Sequence, residues 1–209
     1  MNENVLLVAF VGKKRSGKDT AGNYFVSNHG YTYAQKLAAP IKDIGRMLFG
    51  WSQDMVEGVN YDREQLIPEL GMSVRQFLQE CGSLFKYDLS DRIPDYGDKV
   101  GPKIWAEVCA RWLEKQKPGK YVLTDVRFPE EIQVLKSKFK HVYVVKLISD
   151  RSPEDKHISE TAVDTVPFNF CVVNDGYDTY SQLYVELDAI SELINDQYYT
   201  VETGKGFQA

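Results

Sequence analysis

Short runs of consecutive apolar residues alternate along this chain with stretches in which apolar residues recur every three or four positions. The runs are Val5–Val11, Tyr121–Thr124, Val142–Leu147 and Phe170–Val173, with a shorter one at Tyr31–Ala34. They do not alternate apolar with polar, so each predicted strand is buried on both faces, as in a parallel sheet covered by helices. Helical spacing appears after the first run (Ala21 to Val26). It returns from about Leu37 through Ile41, Ile44, Met47 and Leu48, with Pro40 suited to the first turn. Further helices are expected after Pro129 (Ile132, Val134, Leu135) and from about Asp178 to Leu193 (Leu183, Val185, Leu187, Ile190). Thr200 to Ala209 shows no period and is expected to fray.

The middle of the chain reads differently. Between about Trp51 and Trp112 no strand-like run occurs, while Val74, Phe77, Leu78 and Cys81, and again Ile104, Trp105, Val108 and Trp112, recur at helical spacing. This predicts a helical insertion, about 51–115, within an α/β domain, and the 209 residues suit a single domain so interrupted. Gly97, Gly101 and Pro102 mark a loop inside the insertion.

Composition narrows the partners. The net charge of -5 argues against a polymeric nucleic acid, while leaving room for a local basic pocket that takes a small anion. Cys81, Cys109 and Cys171 are odd in number and lack zinc spacing, so they read as buried small hydrophobes in a reducing compartment. The chain opens on Met1-Asn2-Glu3-Asn4 with no signal peptide, and no apolar stretch is long enough for a bilayer. The cytoplasm is the expected location.

The chemistry concentrates at Gly12-Lys13-Lys14-Arg15-Ser16-Gly17-Lys18-Asp19-Thr20, between the first strand and the first helix. In that context G-x-x-x-x-G-K reads as a phosphate-binding loop rather than a chance Gly/Lys-rich turn. Gly12 and Gly17 let the backbone curl so that N–H groups face a polyphosphate. The helix opening at Lys18 adds its positive end, and Lys18 itself reaches the outer phosphates. Asp19 stands where Ser or Thr more often meets magnesium, and a carboxylate is also a hard-oxygen ligand. Lys13, Lys14 and Arg15 offset its charge.

Other candidates lie further along. Asp125 ends the strand Tyr121–Thr124, where a second carboxylate approaches magnesium; the plainer reading is a turn cap. Arg127 falls on the same side of an extended segment as Asp125 and is a phosphate-fork candidate, against a surface pair with Glu130 or Glu131. Arg75 and Gln79 share a helix face, suited to a phosphate and a base edge or simply to solvent. Lys36 and Lys42 are equally ambiguous. Arg151 to His157 is a charged, Pro-punctuated loop of the kind that closes over phosphates. A local hydrogen bond from His157 to Glu160 is the plain reading of that pair.

Taken in order, GKKRSGKDT, LAAPIK (Leu37–Lys42), YDRE (Tyr61–Glu64), SVRQFLQECG (Ser73–Gly82), Ile104-Trp105, DVRFPE (Asp125–Glu130), HISE (His157–Glu160) and Asn174-Asp175-Gly176 resemble the bacteriophage deoxynucleoside monophosphate kinases over most of the chain. The resemblance implies an α/β, P-loop NTPase-like three-layer fold. It implies that the helical insertion binds the monophosphate and that a short lid lies at about 149–160. The implied reaction moves the ATP γ-phosphate, with Mg²⁺, to a deoxynucleoside monophosphate. By resemblance Lys18 and the loop (Gly12, Lys13, Arg15, Ser16, Gly17, Asp19, Thr20) hold ATP. Arg75, Arg127 and Lys42 fall on the acceptor side, with Gln79 at the base. Arg151 supplies the lid charge, with Lys146 and Lys156 as alternatives, and Asp19 and Asp125 face the metal. Small-molecule nucleotides are the implied partners, with no membrane; a homodimer is left open. Two other readings stand beside it: a P-loop kinase of another small acceptor (phosphomevalonate or dephospho-coenzyme A type), and a non-enzymatic nucleotide-binding switch. A switch needs a group to position water, and none is identifiable.

Overall fold

The structure is a computed structural model describing residues 1–152, 158–175 and 181–203. Along the chain run β1 (Asn2–Val11), α1 (Lys18–Asn28), β2 (Thr32–Tyr33), α2 (Ala39–Phe49), α3 (Gln53–Glu57), β3 (Leu66–Ile67), β4 (Met72–Ser73) and α4 (Val74–Ser83). There follow α5 (Leu89–Arg92), α6 (Pro94–Lys99), α7 (Ile104–Leu113), β5 (Gly119–Leu123), α8 (Pro129–Lys138), β6 (Phe139–Ile148), α9 (Ile158–Ala162), β7 (Phe170–Val173) and α10 (Ser181–Thr203). The chain divides into two compact units, one of Met1–Lys36 with Cys109–Ala209, the other of Leu37–Val108.

The first unit carries a five-stranded sheet in the order β2-β5-β1-β6-β7, every neighbouring pair parallel. The α/β class read from the apolar runs is what the chain forms. β1 lies at the centre, where both faces are covered, and Val5 through Val11 are buried. β7 is an edge strand and behaves differently: Val172 is buried while Cys171 and Val173 are exposed. This corrects the expectation of three buried cysteines, since Cys81 and Cys109 are buried and Cys171 is not. Phe10, Phe25 and Tyr31 pack with Leu147, Leu187 and Ile194 in the core of this unit. α10 extends ten residues past the predicted end at Leu193, into the stretch expected to fray. Among the described residues no helix is long and apolar enough to cross a membrane.

The second unit is mainly helical, around Trp51, Val56 and Val74 with Phe49 and Phe77. Phe77 meets the rings of Trp51 and Phe49 edge-on, each at 5.2 Å. Two local expectations fail here. β3 and β4 form a short antiparallel hairpin where no strand was predicted. Two-residue strands are too brief to carry a period. Gly97 lies inside α6, not in a loop. Pro94 opens that helix, and Gly97 lies so near Ser90 that a Cβ would come 2.9 Å from the Ser90 carbonyl oxygen. The glycine serves close packing rather than a turn.

Candidate phosphate-binding site

Parallel strands end on one edge of the sheet, and ligands of open α/β sheets bind beyond that edge. Four of the segments that start there carry the candidate residues. Gly12–Gly17 follows β1, Thr124–Phe128 follows β5, Ser149–Ser152 follows β6 and Asn174 follows β7.

The loop after β1 is shaped by its two glycines. Gly17 has φ 97°, a left-handed conformation, and a Cβ there would collide with the Asn174 amide. A Cβ on Gly12 would strike Ser16 Oγ and lie 2.6 Å from the Leu147 carbonyl oxygen. Arg15 also sits at positive φ, 65°, where a side chain is costly by about 1–2 kcal/mol. Ser16 is buried, and its Oγ has no hydrogen-bond partner among the described residues. Its N–H donates to Lys13 O at 3.1 Å. Asn174 Nδ2 donates to Ser16 O at 3.0 Å and so fastens the loop to the end of β7.

Lys18 is buried, with Nζ donating to Lys13 O at 3.2 Å. Burial, and then the Arg127 guanidinium, push its ammonium down from 10.5 to about 8, against the opposite pull of Asp19, Glu160 and Asp125. Those five charged groups therefore share one neighbourhood. Asp19 is exposed and accepts a 2.8 Å hydrogen bond from the buried Thr124 hydroxyl. Asp125 is half-buried. A pocket of about 610 Å³ opens beside them, lined by Arg15, Lys18, Asp19 and Arg151 together with Gly17, Thr20 and Asn174. That volume falls in the ordinary range for a small-molecule site.

Arg127 reaches back to the loop. Its Nη1 donates to Gly12 O at 3.2 Å and pairs with Glu160 Oε1 at 2.9 Å. The plain alternative, a guanidinium pair with Glu130 or Glu131, is not what forms. Glu131 accepts instead from the backbone N–H groups of Arg127 and Phe128, at 2.9 and 3.2 Å, fixing the turn that presents Arg127. Arg151 donates from Nη2 to Asn174 O and Oδ1, at 3.3 and 3.4 Å. Lys13 is drawn to Asp164 at 2.7 Å, and Lys146 donates to Asp164 O at 3.0 Å. Lys156, His157 and Gly176 lie outside the described residues.

The second unit holds the other predicted contacts. Arg75 and Gln79 are half-buried one turn apart on α4. Arg75 Nε pairs with Glu64 Oε1 at 3.2 Å, and buried Lys42 pairs with Glu57 at 2.6 Å. A phosphate ligand at either cation would compete with a carboxylate.

Two residues were missed as parts of this site. From the sequence Glu160 reads as a local partner for His157, and Asn174 as part of a string without a task. Each meets the loop across more than 140 positions, so only the strings HISE and Asn174-Asp175-Gly176 offered a signal.

Magnesium takes hard oxygen ligands and keeps much of its water. The carboxylates of Asp19 and Asp125 fit that preference, with Asp19 anchored through Thr124. Among the described residues no three or more of His, Cys, Asp and Glu gather into a metal cluster. An ion here would take most of its ligands from phosphate and water.

The sequence is similar to known proteins. The family model "Deoxynucleotide monophosphate kinase" matches residues 6–94, a span that takes in Gly12–Thr20, Lys42, Arg75 and Gln79 but ends before Asp125. A protein of Acanthamoeba polyphaga mimivirus named "Putative deoxynucleotide monophosphate kinase" is 26% identical over 206 residues, covering 90% of this chain and all of its own. An unliganded sugar kinase of Janibacter sp. aligns over 87% of this chain and 91% of its own, at 14% identity and a TM-score of 0.37. At that level of likeness neither fold nor function follows from it. The sequence matches bear out the reading of the chain as a kinase. Within that class they bear out the resemblance to the deoxynucleotide monophosphate kinases.

Proposed function

We propose that this chain transfers the γ-phosphate of ATP to a deoxynucleoside 5′-monophosphate, giving ADP and the deoxynucleoside diphosphate. The observation that carries the reading is buried Lys18 at the phosphate loop, beside Arg127 and a pocket lined by Arg15 and Arg151. The deoxynucleotide acceptor rests on the sequence matches.

Phosphoryl transfer asks for charge around an in-line transition state rather than for covalent chemistry. An acceptor phosphate oxygen attacks the γ-phosphorus as its bond to the β–γ bridging oxygen breaks, and ADP leaves with that electron pair. The acceptor is already an anion, so no strong base is needed. In this reading Lys18, the loop N–H groups, Arg15 and Arg151 hold the donor phosphates. Mg²⁺, near Asp19 and Asp125, supplies further charge neutralisation when bound. Arg127 offers its fork to the group in transfer. Arg75 and Lys42 serve the acceptor phosphate, exchanging Glu64 and Glu57 for it, and Gln79 serves the base.

A panel of acceptors in a coupled ADP-release assay tests the proposal. Turnover with one or more deoxynucleoside monophosphates, and none with phosphomevalonate or dephospho-coenzyme A, is expected. Acceptor-independent ADP release alone would point to a nucleotide-binding switch and overturn it.

A further inference from the structure

Glu160 is 4% exposed, yet it sits on α9, a helix of only five residues. A buried carboxylate is tolerated where its oxygens are hydrogen-bonded and its charge is met. Both conditions hold here. Oε1 takes the Arg127 guanidinium at 2.9 Å, and Oε2 accepts the backbone N–H of Lys14, inside the phosphate loop, at 2.8 Å. One carboxylate thus ties an arginine presented after β5 to the loop that follows β1.

The geometry at Arg127 gives this tie a direction. Nη1 is held from two sides, by a hydrogen bond to Gly12 O and by the ion pair with Glu160 Oε1. Nη2 and Nε carry no hydrogen bond to a described residue. A guanidinium binds phosphate through two parallel donors, so its orientation decides whether it can do so. With Nη1 held on one side, the fork keeps a second edge available for a phosphate.

Building on the kinase reading above, we propose that Glu160 is a positioning residue. It clamps Nη1 of Arg127 against the phosphate loop so that the Nε/Nη2 edge faces the phosphoryl group. Glu160 touches no substrate itself; it acts through Arg127. It also fixes the Lys14 peptide, which keeps loop and arginine in register with each other. Pre-organisation of this kind is expected to appear in kcat, because the interaction it prepares is made in the transition state.

The test is a cycle of wild type, Glu160→Gln, Arg127→Ala and the double variant, with thermal melting to confirm that each folds. Glu160→Gln is expected to lower kcat roughly tenfold or more, with the KM for ATP changed far less. Adding Glu160→Gln to Arg127→Ala is expected to cost little more, since the group it positions is gone. Glu160→Asp, which keeps the charge but shortens the reach, should fall between. Equal fold-losses in both backgrounds would overturn the proposal.

A second measurement does not depend on turnover. Side-chain ¹⁵N exchange at Arg127 should show hindered guanidinium rotation in the wild type and faster rotation in Glu160→Gln or Glu160→Asp. Unchanged rotation would refute the clamp even if every variant is active. Hindered rotation in a protein inactive with every acceptor would instead refute the kinase reading and leave the clamp standing.

Discussion

Replacing Lys18 with methionine should make this protein more stable at neutral pH while removing its activity. The two effects have one cause. The structure holds a lysine only 7% exposed, and burial, then the Arg127 guanidinium, push its pKa from 10.5 down to about 8. The unfolded chain keeps the higher value, so between the two the unfolded state binds more protons and stability rises with pH. Below about pH 8 the folded protein carries the buried charge in full, at a cost of about 3 kcal/mol as an upper figure. Methionine fills a similar volume without the charge. Lys18→Met is therefore expected to gain about 1–3 kcal/mol at pH 7, shrinking towards nothing as the pH passes about 10.5. Turnover should fall on the order of a hundredfold or more, because the charge proposed to meet the phosphates is lost. In the wild type, kcat/KM for ATP should decline as the pH rises through about 8, where free Lys18 loses its proton. Denaturant melts at pH 7 and pH 10, with ADP-release rates, make the comparison. A variant less stable than wild type by the same amount at both pH values would refute the reasoning, as would near-normal turnover.

Gly17→Ala meets both a left-handed backbone and the Asn174 amide; it should destabilise by more than about 1 kcal/mol and weaken ATP binding, read by melting and calorimetry. Asp125→Asn should raise the magnesium requirement and lower kcat; superimposable magnesium titrations would reduce Asp125 to a turn cap. Thr124→Val removes the 2.8 Å bond to Asp19 and should cost about 1 kcal/mol in stability, with a changed magnesium dependence as the functional readout. Arg75→Ala and Arg127→Ala should raise the acceptor KM or lower kcat by about tenfold or more; unchanged constants in both would move the acceptor site elsewhere.

The sequence by itself determined the strands of the parallel sheet, the glycine-bounded loop after the first of them and the reading of the chain as a kinase, but not the short β3–β4 hairpin. Each is local. A strand buried on both faces must be continuously apolar, as Val5–Val11 is, and the proposed phosphate loop rests on Gly12, Gly17 and Lys18 at fixed spacing. What tertiary structure decided is which charges meet. Arg127 could be read beside Glu130 and Glu131 because they are near in sequence. Parallel pairing of β5 with β1 and β1 with β6 carries the ends of these strands to one edge, and there Glu160, thirty-three positions away, takes the guanidinium. Asn174 reaches Ser16 across 158 positions in the same way. Such contacts leave no period and no spacing in the chain, since the sheet rather than the sequence interval sets the distance. The depressed proton affinity of Lys18 is of the same origin. It depends on burial and on Arg127, and neither exists until the sheet has formed.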